Sequence, residues 1–275
     1  MWKMFTKGRL LLRHYSSTAA KSLLGTLRRR SGFPLMKCKE ALTKFGSDLE
    51  AAETWLQEEA QKEGWTKMAK LQGRQAKQGH IGLAVADNKA AMVEVNCETD
   101  FVARNDQFKA LVSTITGATF NHLTPKLLTA TNLASLDVLI SDSILNVSTN
   151  EDGDGGSVAD CVAKTVGHFQ EKISASRGCT LSCTSGILCG QVHNNISNDE
   201  TVRMGPYAAV LHMNGYDSTE SLSGRANLDE LRKLGEQICQ HIVGLNPVNV
   251  EAVESEVSLV DQNFLFDESV TVGSF

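Results

Sequence analysis

The stretch EVNCETDFVARND, residues 94–106, places a large apolar residue where a polar turn is expected. Apolar and polar residues alternate over 93–97 with the period of two that is typical of a half-buried strand. The alternation stops at Thr99, where we expect a turn. Phe101 and Val102 follow directly, although turns favour small polar side chains. The pattern alone leaves two interpretations of Phe101, a ring that folds back into the protein's own core or one with a role outside it.

A pattern of hairpin and then helix occurs twice in the rest of the chain. The first hairpin is predicted to turn at Asp87-Asn88. The two copies are a hairpin over 80–96 with a helix over 106–120, and strands over 180–194 and 206–215 with a helix over 227–245. We therefore predict an α+β fold whose core has two related subdomains with antiparallel sheets, at 79–150 and 151–275.

Helical periodicity before this core indicates a small three-helix module over residues 21–63. Ser47 and Glu50 form the pattern of a capping box, in which the Ser47 hydroxyl accepts from the amide of residue 50. A module of this size is expected to have little stability alone. The following residues, 64–78, carry many lysines and arginines with little apolar periodicity, and we interpret them as a basic, partly helical connector.

The distribution of charge predicts a targeting segment at the N-terminus. The chain has 275 residues and a formal net charge of -5, which gives no general sign of nucleic acid binding. No apolar run is long enough for a membrane span. No Asp or Glu precedes Glu40, and residues 1–20 combine basic, hydroxyl and apolar side chains. This composition favours a mitochondrial transit segment, the alternative being a basic helix of the mature fold.

Catalytic motifs are absent from the sequence. It contains no nucleophile elbow, no P-loop, no HExxH zinc motif and no glycine-rich dinucleotide fingerprint. Cys179, Cys183 and Cys189 share one parity along a predicted strand region, so a zinc or thiol site that includes His193 is one alternative. Small buried side chains explain the parity equally well, and no CxxC pair is present. We expect no metal, no cofactor and no covalent catalysis.

An acidic, glycine-rich segment over 150–157 separates the two predicted subdomains. Asp152 and Asp154 suggest a calcium loop, but the twelfth position of such a loop is Ala163, where a glutamate is required. We interpret the segment as a flexible loop that ends at Ser157, the predicted N-cap of a helix.

Several motifs together resemble the elongation factor Ts family in its mitochondrial form. They are RRRSGFPLMKCKEAL at 28–42, GSDLEAAETWLQEEAQKEGWTKMAKLQGRQA at 46–76 and VEVNCETDFVARNDQF at 93–108. The resemblance covers about residues 23–273. It implies a ubiquitin-associated-like N-terminal module before the core. It also implies a guanine nucleotide exchange factor of the mitochondrial matrix whose partner is mitochondrial elongation factor Tu, with no direct binding of nucleotide, nucleic acid or membrane.

The same resemblance assigns partner contacts to particular residues. Thr99, Asp100, Phe101 and Val102 match the family stretch that enters the GTPase, with the phenylalanine inserted near the partner's magnesium site. His193 matches a contact histidine, although Asn194 stands where the family has glycine. A second contact segment is matched by Leu27, Arg28, Ser31, Gly32 and Phe33.

Two stretches depart from the family pattern. In FQEKISASRGCT, residues 169–180, Gln170 and Lys172 differ from the family's Gly-Glu-Asn-Ile. FLFDESVTVGSF, residues 264–275, matches the segment before the family's final strand, so either that strand is missing or another segment closes the sheet. From another functional class, the alternative is an adaptor that uses residues 21–63 to bind ubiquitin or a similar protein.

Overall fold

The structure, a computed structural model, describes residues 23–86, 88–122, 126–128, 139–140, 144, 149, 156–213, 224–251 and 258–275. The chain divides into two compact units. The first ends at Gln72 and also includes Ala163–Gln170, while the second comprises Gly73–Val162 and Glu171–Phe275. The predicted transit segment, Asp87 of the hairpin turn, and Asp152 and Asp154 lie outside the described residues.

The first unit is helical, as the sequence predicts. Its helices are α1 over 23–31, α2 (Leu35–Phe45), α3 (Leu49–Leu71) and the second half of α6 (Val158–Phe169). The predicted cap of α3 was wrong by one residue. The Asp48 carboxylate, not the Ser47 hydroxyl, accepts from the backbone, with 3.0 Å to the Ala51 amide. Because α3 begins at Leu49, Asp48 holds the N-cap position, from which a short side chain reaches the third amide of the helix.

Helix α3 continues to Leu71, through part of the range that the sequence assigned to a connector. In this stretch, Gly64 makes a close contact with α6 that leaves no apolar signal in the sequence. A Cβ atom on Gly64 would lie 1.7 Å from the carbonyl oxygen of Ala163. A Cβ atom on Gly167 would lie 1.9 Å from the carbonyl oxygen of Ala60. The two helices therefore touch backbone to backbone where each supplies a glycine.

The second unit is built on antiparallel strands. The predicted first hairpin is confirmed, since β1 (Gln78–Val85) pairs with β2 (Lys89–Cys97). The other strands are β3 (Lys126–Leu128), β4 (Leu139–Ile140), β5 (Ile173–Cys183), β6 (Ile187–His193), β7 (Arg203–Gly205), β8 (Tyr207–Met213), β9 (Asn263–Phe264) and β10 (Asp267–Thr271). Within the described residues, a six-stranded sheet has the order β3-β5-β2-β1-β7, with β4 beside β5.

The strand pairing crosses the boundary between residues 150 and 151 that was predicted to separate the two subdomains. β5 was predicted as part of the second subdomain, but it pairs with β2 of the first over the length of both strands. The later strands β6 and β8 pair with each other. An alternating pattern tells which side of a strand faces the core but not which strand lies beside it. The pairing of β5 with β2 could therefore not be predicted from the sequence.

Helices cover the sheets, and their positions agree with the periodicity of the sequence. α5 (Asp106–His122) buries Phe108, Val112 and Ile115 and contacts β1 and β2. α7 (Gly224–Leu245) packs on β6 and β8. The predicted cap of α6 is also confirmed, since Ser157 and Asp160 exchange hydrogen bonds of 2.9 and 3.2 Å between side chain and backbone. No helix among the described residues is long and apolar enough to cross a membrane.

The C-terminal segment is packed in its own apolar cluster. Phe264 of β9 is buried with Ile238, Leu259 and Val272. Its ring lies 4.9 Å from the ring of Phe275, measured between centroids. The residues after 258 are therefore held by the second unit through a short hairpin, β9 and β10.

A partly buried histidine supports the connection between the hairpin and α5. The Nε2 atom of His80 lies 2.8 Å from the carbonyl oxygen of Ala103. Because a carbonyl oxygen can only accept, Nε2 carries the hydrogen and is the donor of this hydrogen bond. The Nδ1 atom is buried and has no hydrogen-bond partner among the described residues. Burial lowers the pKa of His80, and the nearby Lys109 ammonium adds to that effect against the opposing bond to Ala103. Protonation of His80 is therefore less favourable in the folded protein than in the unfolded chain.

Replacing Gly64 with alanine should destabilise the first unit, because the new methyl group collides with the backbone of α6. Overpacking of this kind costs about 1 to 3 kcal/mol. Gly25→Ala in α1 is the matched control, since nothing lies within 4 Å of its added Cβ atom. Urea unfolding followed by tryptophan fluorescence measures both, because Trp55 and Trp65 lie on α3. Equal stability of the two variants would contradict the close helix contact.

Acidification should destabilise the second unit through His80. The unfolded histidine has a pKa of about 6.5, and the folded pKa is lower, so below about pH 6.5 the unfolded chain binds a proton that the folded chain resists. The free energy of unfolding therefore falls as the pH drops through this range. We expect His80→Gln to lose less stability than the wild type between pH 7.5 and 5.5 in thermal unfolding. If the wild type and His80→Gln lost the same stability over this pH range, His80 would not be the cause of the acid destabilisation.

Candidate functional site

The expected turn after β2 is a one-turn helix, α4 (Asp100–Ala103). Phe101 is 81% exposed, whereas Val102 and Ala103 are each only 6% exposed. A helix of four residues is too short to be stable by its own hydrogen bonds. Its buried side and its two ends must therefore hold it in place. The aromatic ring projects from the opposite side.

Thr99 holds the beginning of α4. Its Oγ1 atom accepts a hydrogen bond from the Val102 amide at 3.4 Å, which makes it the N-cap. Thr99 is itself bound by the carboxylate of Glu171. The Thr99 amide donates to Oε2 at 3.1 Å, and the Thr99 hydroxyl lies 2.9 and 3.0 Å from the two carboxylate oxygens. The short helix is therefore tied at its cap to a residue far away in sequence.

The Cys97 thiol adds a further bond to the same cap. Its Sγ atom donates to the carbonyl oxygen of Thr99 at 3.2 Å. Burial raises the pKa of Cys97 to about 12, and the negative charge of Glu171 contributes to the shift. The thiol is therefore protonated at neutral pH and acts as a donor, not as a nucleophile.

Asp100 lies beside the exposed ring and pairs with Arg104. The two side chains are 2.9 Å apart, one helical turn from each other, and both are solvent-exposed. An exposed pair of this type contributes at most about 1 kcal/mol to stability. Asp100 therefore contributes charge and shape to the surface around Phe101 more than it stabilises the fold.

The predicted second contact segment divides into buried and exposed residues. Leu27 is fully buried in the core of the first unit, and Phe33 is 7% exposed with its ring 4.5 Å from that of His168. These two side chains cannot reach a partner without rearrangement, so the predicted contact role does not fit them. Arg28 and Gly32 are exposed, and Gly32 has a φ of 71° that favours glycine.

Ser31 connects these residues within the first unit. Its hydroxyl donates to the carbonyl oxygen of Leu27 at 2.7 Å. It also lies 3.4 Å from the Phe33 amide, for which it is an acceptor. Ser31 therefore stabilises the end of α1 and the bend that follows it.

His193 ends β6 and is exposed. It faces Tyr207 of β8, with the ring centroids 6.3 Å apart. Both line a cavity of about 460 Å³ together with Val243 and Leu265. Asn194 has a φ of 51°, a left-handed conformation that asparagine tolerates better than most residues, so the turn is kept without the family's glycine.

The structure brings together some of the predicted site residues and not others. Thr99, Asp100, Phe101 and Val102 meet in α4 and its cap, where Val102 serves as a buried anchor. His193 lies elsewhere in the second unit, in contact with Tyr207. The contribution of Glu171 was not predicted. Its only signal in the sequence was its place in the FQEKIS stretch, which resembles the family.

The cysteine cluster considered in the sequence has no metal-site geometry. No group of three potential metal ligands occurs among the described residues. Cys183 and Cys189 are buried, and Cys179 is partly buried. Burial raises the pKa of Cys179 and of Cys183, which favours neutral thiols over metal-binding thiolates.

Two family models match the chain. The model described as "Elongation factor Ts, mitochondrial, N-terminal" matches residues 8–66. The model described as "Elongation factor TS" matches residues 98–254, which include α4, its cap, Glu171 and His193. Together they cover most of both units.

Curated relatives match over nearly the whole chain. Mitochondrial elongation factor Ts of Salmo salar is 38% identical over 265 residues, covering 94% of this chain and 81% of the relative. The Homo sapiens protein of that name is 35% identical over 269 residues, covering 94% and 79%. The Nematostella vectensis protein is 35% identical over 282 residues, covering 93% of each chain. The chain therefore belongs to the mitochondrial elongation factor Ts family.

Proposed function

We propose that this protein is the guanine nucleotide exchange factor for mitochondrial elongation factor Tu and acts in the mitochondrial matrix. The elongation factor Ts family is the nucleotide exchange factor for elongation factor Tu in translation elongation. In this role the protein binds Tu carrying GDP, promotes GDP release and leaves when GTP binds. It makes and breaks no covalent bond of the nucleotide.

The exposed ring of Phe101 is the observation that supports this role most directly. An aromatic side chain with 81% exposure contributes little to the free protein's own core. It is presented by a helix whose cap is hydrogen-bonded to Glu171 and whose inner face is buried. Rigid aromatic side chains at the centre of an interface commonly supply much of its binding energy.

Exchange then follows from differential binding. If the factor binds nucleotide-free Tu more tightly than Tu with GDP, linkage requires that GDP binds the complex more weakly by the same factor. In this proposal the ring inserts near the partner's magnesium site, which is what the family resemblance implies. Displacement of the elements around the metal and the phosphates removes contacts of GDP. A thousandfold faster release needs only about 4 kcal/mol of barrier lowering, which an inserted aromatic residue is large enough to supply.

The Phe101→Ala variant tests the proposal. The side chain is exposed, so we expect a loss of folding stability below about 0.5 kcal/mol. Loss of an interface anchor costs about 2 kcal/mol or more, which corresponds to roughly thirtyfold slower stimulated release at sub-saturating factor. Release of a fluorescent GDP from mitochondrial Tu measures the exchange, and thermal unfolding of the free factor measures the stability.

Val248→Ala is the control for loss of an exposed apolar side chain in the same unit, since Val248 is 75% exposed. It should leave both stability and exchange within error of the wild type. If the wild-type chain fails to accelerate GDP release, the proposed function is wrong. If Phe101→Ala melts much earlier but its folded fraction exchanges normally, the ring belongs to the fold and not to the interface.

Variants in the second contact segment should differ in whether they affect exchange or folding stability. Arg28→Ala should slow stimulated release without changing the melting temperature, because Arg28 is exposed at the end of α1. Leu27→Ala should lower the stability of the first unit by about 2 to 5 kcal/mol, because its side chain is fully buried. The same two assays distinguish them. Normal exchange by Arg28→Ala would remove this segment from the proposed interface.

A further inference from the structure

The antiparallel register of β2 and β5 continues beyond the last paired backbone residues. Cys97 at the end of β2 faces Ile173 at the start of β5. Two positions further, the same register sets Thr99 opposite Glu171. There the Glu171 side chain replaces a backbone carbonyl as the acceptor, with 3.1 Å from the Thr99 amide to Oε2. A carboxylate therefore extends the ladder to the residue that caps α4.

A second carboxylate makes the reciprocal bond at the intervening position. Glu98 accepts the backbone amide of Lys172 at 2.9 Å. Its carboxylate also lies 3.2 Å from the Arg74 guanidinium, and the Lys172 ammonium donates to the Arg74 carbonyl oxygen at 2.7 Å. These bonds hold the chain just before β5. The backbone that carries Glu171 is therefore fixed with respect to the end of β2.

We propose that Glu171 is a positioning residue for Phe101. Its carboxylate accepts hydrogen bonds from both the amide and the hydroxyl of Thr99. These bonds hold the N-cap of α4 and thereby set the direction of the exposed ring. The hydroxyl so held is the acceptor for the Val102 amide inside the helix. The inference rests on the proposed function, in which this ring enters the partner.

The physical basis is preorganisation. A helix of four residues has too few internal bonds to hold its own geometry, so its orientation depends on the bonds at its ends. Without Glu171, the Thr99 amide and hydroxyl lose their acceptor and the cap is free to turn. The partner must then order the helix on binding, which reduces the binding energy available for displacing the nucleotide.

A double-mutant cycle tests whether Glu171 acts through Phe101. Glu171→Ala should slow stimulated GDP release from mitochondrial Tu by about tenfold, the effect of losing hydrogen bonds to a charged group. In the Phe101→Ala background, the same change should slow release by less than about twofold, because the residue it positions is gone. Glu94→Ala is the matched control, since Glu94 pairs with Arg177 on the same two strands. It should leave release unchanged.

A second measurement on the free protein needs no partner. The amides of Ala103 and Arg104 donate to the carbonyl oxygens of Thr99 and Asp100, at 3.2 and 3.1 Å. Glu171→Ala should accelerate hydrogen exchange of these two amides by about tenfold and leave the amides of β2 unchanged. Thr99→Val should have the same effect, whereas Thr99→Ser, which keeps the hydroxyl, should restore protection.

The outcomes separate this inference from the proposed function. Unchanged amide exchange in Glu171→Ala overturns the positioning role, and so does equal slowing of GDP release in both backgrounds. If Glu171→Ala does not fold, Thr99→Val carries the same test through the other partner of the bond. If the wild-type chain does not accelerate GDP release, the proposed function fails, while faster amide exchange in α4 of Glu171→Ala still supports the positioning role.

Discussion

The antiparallel register between β2 and β5 is the constraint on which the candidate site depends. It places Val93 and Val95 in the core. It also sets Glu171 opposite Thr99. Because side chains alternate between the two faces of a strand, a slip of one residue would expose the apolar side chains of β2 and move Glu171 away from the cap of α4. The burial of apolar side chains that stabilises this strand pairing therefore also fixes the position of Glu171 relative to Thr99.

In and beside α4, some residues attach the helix to the second unit and others form its exposed surface. Thr99 and the buried Val102 attach the helix to the second unit. Phe101 and the exposed pair of Asp100 with Arg104 form its outer surface. An exposed apolar ring adds little to the stability of the free protein, whereas the hydrogen bonds that hold the cap of its helix are partly buried. Such an arrangement is explained by a role outside the chain's own core.

Local patterns predicted the α+β fold class, the first hairpin, and helices α5 and α7, because burial of one side of a strand or helix leaves a periodic signal over neighbouring residues. They did not predict that β5 joins β2, because pairing over long sequence separations leaves no such signal. The contact at Gly64 was hidden for a related reason, since a glycine that admits another backbone adds no apolar side chain. Motif matching found Phe101 but did not distinguish it from the buried Leu27 and Phe33.

In the proposed exchange, a firmly held ring is better able to act on the partner's nucleotide than a mobile one. Under that proposal, binding energy can displace the partner's metal-binding elements only if the ring keeps its position as the complex forms. A ring on a loose turn would relax into whatever space the partner offers, and the nucleotide contacts would survive. The bonds from Glu171 to Thr99 oppose that relaxation within the free protein. In the proposed exchange, the coupling between factor and nucleotide therefore depends on a hydrogen bond that touches neither the partner nor GDP.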